Sequence, residues 1–159
     1  RQWFEKAAAQ GVAQAQNNLG LLYYNGQGGP QDYATARQWF EKSAVQGHAR
    51  AQYNLGVLYD FEKGLSQDYA KARQWYEKAA AQGHAGAQNN LGGLYEFGHG
   101  VTQDYVRAYM WYNVAADDST GDAQKDIAAE NRDEIAGRMT SAQIAEAKKL
   151  AREWKPLKK

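Results

Sequence analysis

The chain has no cysteine, only two prolines and no long apolar run. Without cysteine it forms neither a disulfide framework nor a thiolate metal site, which is compatible with either redox compartment. No segment approaches the roughly 20 consecutive apolar residues that a membrane-spanning helix needs. The net charge is +1, and no basic stripe of the kind that a nucleic-acid groove requires is present. We therefore expect neither a membrane span nor a nucleic-acid partner.

The basic residues concentrate at one end of the chain. Residues 148–159 contain six lysines and arginines against one acidic residue, Glu153. A solvated helix face followed by a tail accounts for this cluster better than a binding site does. At the other end, the sequence opens inside a repeat without an initiator methionine. We expect this start to be a trimming or processing boundary, with residues 1–10 forming the second helix of a truncated unit.

One phrase recurs along the chain with a period of 36 residues. Each copy starts at a tryptophan that phenylalanine or tyrosine follows, at Trp3, Trp39, Trp75 and Trp111. Between the units 3–38, 39–74 and 75–110, 19 of 36 positions are identical in all three copies. A period of about 20 to 50 residues indicates a solenoid or another repeat array, in which each unit buries its apolar face against its neighbours.

The first half of each unit has helical apolar spacing. Ala51, Leu55, Leu58 and Tyr59 follow the order i, i+4, i+7, i+8, which predicts an amphipathic helix. We call this helix A and place it at about 13–25, 49–61 and 85–97. Each copy contains an internal glycine despite its low helix propensity. These glycines, predicted to allow close approach of a neighbouring helix, are Gly20, Gly56 and Gly92.

The second half of each unit begins with a Gln-Asp-Tyr sequence. The aspartate, Asp32 in the first copy, suits a helix N-cap, where it accepts hydrogen bonds from free backbone N–H groups. The following helix B carries an apolar stripe that includes Phe40. Gly47 and Gly83 then stand where a left-handed residue ends a helix. The sequence therefore predicts an all-α fold of 36-residue helix-turn-helix repeats.

The fourth unit departs from the pattern after Trp111. Two residues are inserted around 117–120, and the Leu-Gly-x-Leu-Tyr sequence does not return. Thr140 and Gln143 form a predicted capping box, and the helix after it has an apolar stripe that ends at Trp154. Because terminal repeats shield the open end of a stack, we divide the chain into repeats at 1–116 and C-terminal capping helices with a basic tail at 117–159.

The repeat pattern resembles a known family, the Sel-one-like repeats (SLR), which are relatives of the tetratricopeptide repeat. The resemblance rests on Ala49-x-Ala51-Gln52-x-x-Leu55-Gly56-x-x-Tyr59, followed by Gly64-x-x-Gln67-Asp68-Tyr69-x-x-Ala72-x-x-Trp75-Tyr76-x-x-Ala79-Ala80-x-x-Gly83-His84. It implies a right-handed αα superhelix of bacterial type that acts as an adaptor or scaffold in multiprotein complexes. The compartment stays open between cytoplasm and periplasm or secretion.

Residues suited to catalysis are sparse. His48 and His84 are equivalent positions that Val12 fills in the first unit, so a role as metal ligands is not expected. No Ser-x-x-Lys sequence is present, although some cysteine-rich SLR proteins have been associated with β-lactamase-like activity. We expect no enzyme activity, no metal and no cofactor. A cell-wall or β-lactam hydrolase is one alternative, and a purely structural, consensus-like scaffold is another.

The positions of helix A that differ between copies fall on one stripe about 100° wide, at about 100° per residue. In stacked repeats the A helices line the concave surface. We therefore predict that a monomeric chain binds a protein or peptide there. At the edge of the stripe are three asparagines, Asn18, Asn54 and Asn90, which either contact the partner's backbone or bond to the neighbouring repeat. The aromatic residues of the stripe either anchor the partner or pack at repeat junctions. The predicted groove residues are Arg50, Tyr53, Asn54, Val57, Asp60, Phe61, Gln14, Asn17, Asn18, Leu21, Tyr24, Asn89, Asn90 and Glu96.

Overall fold

A computed structural model describes residues 2–61, 66–116 and 123–157, and in these ranges the regular structure is entirely α-helical. The helices are α1 (Gln2–Ala9), α2 (Ala13–Asn25), α3 (Tyr33–Ala44), α4 (Ala49–Asp60), α5 (Tyr69–Ala81), α6 (Ala85–Phe97), α7 (Tyr105–Ala116), α8 (Ala123–Ala136) and α9 (Ser141–Glu153). The all-α prediction is confirmed, with α2, α4 and α6 as A helices. No helix in the described ranges is long and apolar enough to cross a membrane. The predicted insertion at 117–120 lies outside the described residues, as does Gly64.

The helices group into two compact units, Arg1–Trp75 and Tyr76–Lys159. In the first unit each helix from α1 to α4 packs against the next one. In the second, α7 packs against α6, α8 and α9. Of the repeated tryptophans, Trp39 packs between neighbouring helices, where it contacts the apolar cluster of Ala8, Ala15 and Leu19 in α1 and α2.

The predicted helix ends are confirmed where the structure describes them. The Asp32 carboxylate accepts the backbone N–H of Thr35 at 3.0 Å and so caps α3. Gly47 and Gly83 have φ values of 84° and 83°, a backbone conformation that glycine adopts without strain. At α9 the Thr140 and Gln143 side chains form the reciprocal capping box.

The glycines inside helix A touch aromatic rings of helix B. A Cβ atom built on Gly20 would lie 2.6 Å from the Phe40 ring, which is fully buried in the core. One built on Gly92 of α6 would overlap the Tyr112 ring of α7. At Gly20 and Gly92, as the sequence predicts, the absence of a side chain therefore lets a ring of the next helix approach closely.

The last helix packs against the core of the second unit. Ala147 of α9 is fully buried in a cluster with Tyr109, Tyr112 and Ile135, against which Ile144 also packs. The Trp154 ring after α9 meets the Trp111 ring of α7 edge to face, with centroids 5.8 Å apart. The apolar stripe that the sequence predicts for α9 therefore packs on α7.

Candidate functional site

Helix α4 presents one buried face and one solvent-accessible face. Ala51, Leu55 and Leu58 are fully buried in the core of the first unit. The opposite face, which we call the α4 stripe, consists of Arg50, Tyr53, Asn54 and Val57, together with Phe61 directly after the helix. Arg50 is exposed, the next three are half-buried, and Phe61 is 57 % exposed. The predicted groove face of α4 thus keeps solvent-exposed surface, chiefly at Arg50 and Phe61.

Helix α2 contributes less exposed surface than its sequence suggests. Gln14 is exposed and Asn18 is half-buried. Leu21 and Tyr24, by contrast, pack against the core cluster of α3 and α4. Tyr24 also meets the Tyr33 ring edge to face at 5.3 Å, and burial raises the pKa of its hydroxyl. For these two residues the structure shows packing at the repeat junction.

Three of the predicted groove residues are buried rather than exposed. Asn17, Asp60 and Glu96 lie in the interior, Asn17 with no exposed surface at all. Because they are buried, these three side chains are not exposed to a partner in the unbound chain.

The edge asparagines engage in hydrogen bonds within each unit. Asn54 Nδ2 donates to Asn17 Oδ1 at 2.9 Å and so links α4 to α2. In the second unit Asn90 Nδ2 donates to the Tyr76 hydroxyl at 3.0 Å, while Asn89 accepts from Asn131 of α8 at 2.9 Å. Of the two roles considered for these amides, bonding to a neighbouring helix is the one that the structure shows at Asn54 and Asn90.

The buried carboxylate of Glu96 has partners that compensate for its desolvation. Glu96 Oε2 accepts the hydroxyl hydrogen of Tyr112 at 2.7 Å, and Oε1 lies 3.4 Å from Nη1 of Arg138. Burial, followed by the hydrogen bond to Glu96 and its charge, raises the pKa of Tyr112 far above its usual range. Tyr112 is therefore a neutral hydrogen-bond donor that holds α7 to α6.

His48 has a structural role that the sequence did not reveal. Its Nδ1 accepts the backbone N–H of Ala51 at 3.3 Å, which makes it the N-cap of α4. An accepting Nδ1 leaves the proton on Nε2 in the neutral ring, so Nε2 donates to Gln14 Oε1 at 3.0 Å. Burial, and secondarily the nearby Arg50 charge, lower the pKa of His48. His84 caps α6 in the same way.

Within the described residues, no group of three or more His, Asp or Glu side chains could hold a metal ion. The two histidines that cap helices use Nδ1 for the backbone. What the geometry provides is an accessible helix face of mixed aromatic, aliphatic and cationic character.

Helix pairs that repeat every 36 residues and pack successively within each unit define an αα-repeat protein. The Sel1 repeat model matches residues 1–12, 13–48, 49–84 and 85–119, and the chain belongs to the Sel1 repeat family, the SLR proteins that its sequence resembles. Sel1 repeats typically mediate protein interactions.

Two solved structures share this fold. One is a protective antigen present in uropathogenic Escherichia coli strains that displays an SLR fold, with 36 % identity and a TM-score of 0.86 over 96 % of this chain. The other is a Sel1 repeat protein from Oxalobacter formigenes, with 32 % identity and a TM-score of 0.73 over 92 % of this chain. The chain spans 32 % and 58 % of their respective lengths. Comparison with curated proteins gave no significant match.

Proposed function

We propose that this chain is a protein-interaction module that binds a peptide or protein segment on the α4 stripe, without catalysis and without a cofactor. The observation that carries the proposal is the accessibility of this face on a helix whose other side is fully buried. Tyr53 and Val57, both half-buried, and the 57 % exposed Phe61 follow one another at four-residue spacing along this face, and contiguous apolar surface of this kind marks interaction sites.

The composition of the α4 stripe favours a partner with both apolar and acidic groups. Tyr53 and Phe61 supply aromatic surface, and tyrosine and arginine are enriched among residues that dominate binding energies. Arg50, at the first turn of α4, has no ion pair among the described residues. Its guanidinium can therefore pair with a carboxylate of the partner. On α2, Gln14 and Asn18 add polar contacts at the border of the surface.

Hydrogen bonds at the border of this surface connect its side chains to one another in the unbound protein. His48 holds Gln14 at 3.0 Å, and Gln14 Nε2 in turn donates to Asn18 Oδ1 at 3.0 Å. The Asn54–Asn17 bond at 2.9 Å joins α4 to α2. A surface held in one arrangement loses less conformational freedom on binding, which favours affinity.

The test begins with peptides selected from a random library by the intact chain. Arg50→Ala and Tyr53→Ala should each weaken the selected peptide by about 1–3 kcal/mol, the range of residues near the centre of an interface. The matched control is Lys71→Ala on the exposed face of α5, where Lys71 forms a surface ion pair with Asp68 at 3.3 Å. Isothermal titration calorimetry measures affinity, and circular dichroism checks the fold. Unchanged affinity in the two α4 variants, or loss in Lys71→Ala alone, would move the site away from α4.

A further inference from the structure

We propose that the second unit contains a separate binding site, which takes the C-terminal carboxylate end of a peptide. A cavity of about 480 Å³ lies between the α5–α6 turn, α7 and the end of α9. Its volume falls in the range of about 300–1,000 Å³ that small-ligand sites occupy. The residues that matter to the proposal are Gln88, Asn113, Val114, Arg152, Trp154 and Pro156.

The segment after α9 forms one wall of the cavity and is fixed at both ends. Trp154 contacts the Trp111 ring, with centroids 5.8 Å apart. Three residues later the backbone N–H of Leu157 donates to the carbonyl of Ala81 at 2.7 Å. Pro156, between these two anchors, further restricts the backbone. The cavity is therefore preformed.

Gln88 supplies a hydrogen-bond acceptor inside the cavity. This side chain is only 3 % exposed, and its Nε2 donates to the carbonyl of Ala80 at 3.2 Å. The equivalent Gln16 makes the same bond to Ala8 at 3.1 Å, but its Oε1 also accepts from Gln46 at 2.8 Å. Among the described residues Gln88 Oε1 has no such donor. An acceptor without a donor in the cavity wall favours a ligand that brings an N–H group.

The other two polar side chains of the cavity are donors. Asn113 Oδ1 lies 3.5 Å from Nη1 of Arg132, which leaves the Asn113 N–H groups available. Arg152 forms no ion pair with any residue in the described part of the chain. A guanidinium binds carboxylates through two parallel hydrogen bonds. These two side chains therefore favour a carboxylate.

The last residue of a peptide carries these two groups next to each other, a backbone N–H and a carboxylate. Its N–H matches Gln88 Oε1, and its carboxylate matches Arg152 and Asn113. Val114 and the Trp154 ring provide apolar surface for its side chain. A phosphate or another inorganic anion would satisfy Arg152 but would offer no apolar group and no N–H. The chemistry of the lining thus selects a peptide C-terminus with an apolar last residue.

The probe is N-acetyl-glycyl-leucine, compared with the same compound as its C-terminal amide. Titration into the ¹⁵N-labelled chain should shift the backbone NMR signals of Gln88, Val114 and Trp154. The amide should bind at least about tenfold more weakly, because hydrogen bonds to a charged group exceed those to a neutral one. Arg152→Gln should lose the difference between acid and amide.

The matched control is Lys149→Gln, which removes a positive charge from the same helix at an exposed position outside the cavity. It should bind the acid like the unaltered chain. Circular dichroism confirms that both variants keep their helices. Equal binding of acid and amide, equal loss in both variants, or the absence of shifts at millimolar probe would each overturn the proposal.

Discussion

Adjacent glycines of α6 allow the helix-packing account to be tested with two nearly identical substitutions. Gly92 and Gly93 both lie in the helix interior. Replacing either with alanine gains about 1 kcal/mol of helix propensity. The surroundings differ, because a Cβ on Gly93 would meet only the Tyr112 hydroxyl oxygen at 3.7 Å, an ordinary contact. A Cβ on Gly92 would overlap the Tyr112 ring, and even the ring's Cγ would be 3.0 Å away.

The Tyr112 ring has little freedom to move away. It is 2 % exposed, and its hydroxyl is bonded to Glu96 at 2.7 Å. Overpacking of this kind costs about 1–3 kcal/mol. We therefore expect Gly93→Ala to raise the free energy of unfolding by up to about 1 kcal/mol. Gly92→Ala should be less stable than Gly93→Ala by about 1–3 kcal/mol.

Urea unfolding of both variants measures this difference, provided that the dependence of the unfolding free energy on urea is unchanged. In thermal unfolding, a difference of about 2 kcal/mol corresponds to roughly 4–8 °C in a chain of this size. In a Tyr112→Leu background the difference should shrink, since the ring is absent. Equal stabilities of the two alanine variants in the original background would refute the close contact between α6 and α7.

Two further predictions concern the ends of helices. His48→Ala should destabilise the chain by about 1 kcal/mol through loss of the α4 N-cap, and His48→Asn should retain most of that stability. The pKa of His48 is lowered from 6.5 in the folded chain. Its contribution to the free energy of unfolding is therefore complete above pH 6.5 and is lost as the pH falls through the lower folded value. The stability difference between the original chain and His48→Asn, measured by urea unfolding, should follow this course, and a pH-independent difference would contradict it. Deleting residues 140–159 should expose the α7 surface around Trp111 and cause association, detectable by light scattering, whereas a monomeric 1–139 fragment of unchanged stability would exclude the capping role of α9.

The 36-residue repeat made the helices and their contacts predictable from the sequence. Identical residues at a fixed period indicate the same packing contacts in each copy. An internal glycine such as Gly20 therefore indicates a close neighbour, although it does not identify that neighbour as Phe40. The residues that mark helix N-termini act over equally short distances along the chain. Asp32 and the Thr140–Gln143 pair cap helices through residues three positions away, and such short-range bonds can be inferred from spacing alone.

The depth of the candidate surface was not predictable in the same way. A helical period gives the direction of a side chain but not how far the adjacent helix extends over it. Asn17 and Asn54 were both placed in the groove region, yet Asn17 is buried and accepts the hydrogen bond that the half-buried Asn54 donates. Glu96 is buried, and Arg138, 42 residues away, pairs with it. No local pattern shows a partner at that distance.

The N-cap role of His48 was hidden for a different reason. Its equivalent in the first repeat is Val12, which stands at the N-cap of α2 without any side-chain hydrogen bond. A position that accepts valine gave no indication of a polar role. The hydrogen bond to Gln14 from the preceding repeat was likewise out of reach of sequence reasoning, since it joins residues 34 positions apart.

The most direct test of the α4 stripe as the partner-binding surface is site-specific photo-crosslinking with a selected peptide. A benzoylphenylalanine in place of Phe61, which is 57 % exposed, should crosslink to the bound peptide. The same group in place of Lys71, on the exposed face of α5, should not. Mass spectrometry of the crosslinked product identifies the attachment site. Crosslinking from position 61 and not from position 71 is the predicted result, and the reverse pattern would contradict the central claim.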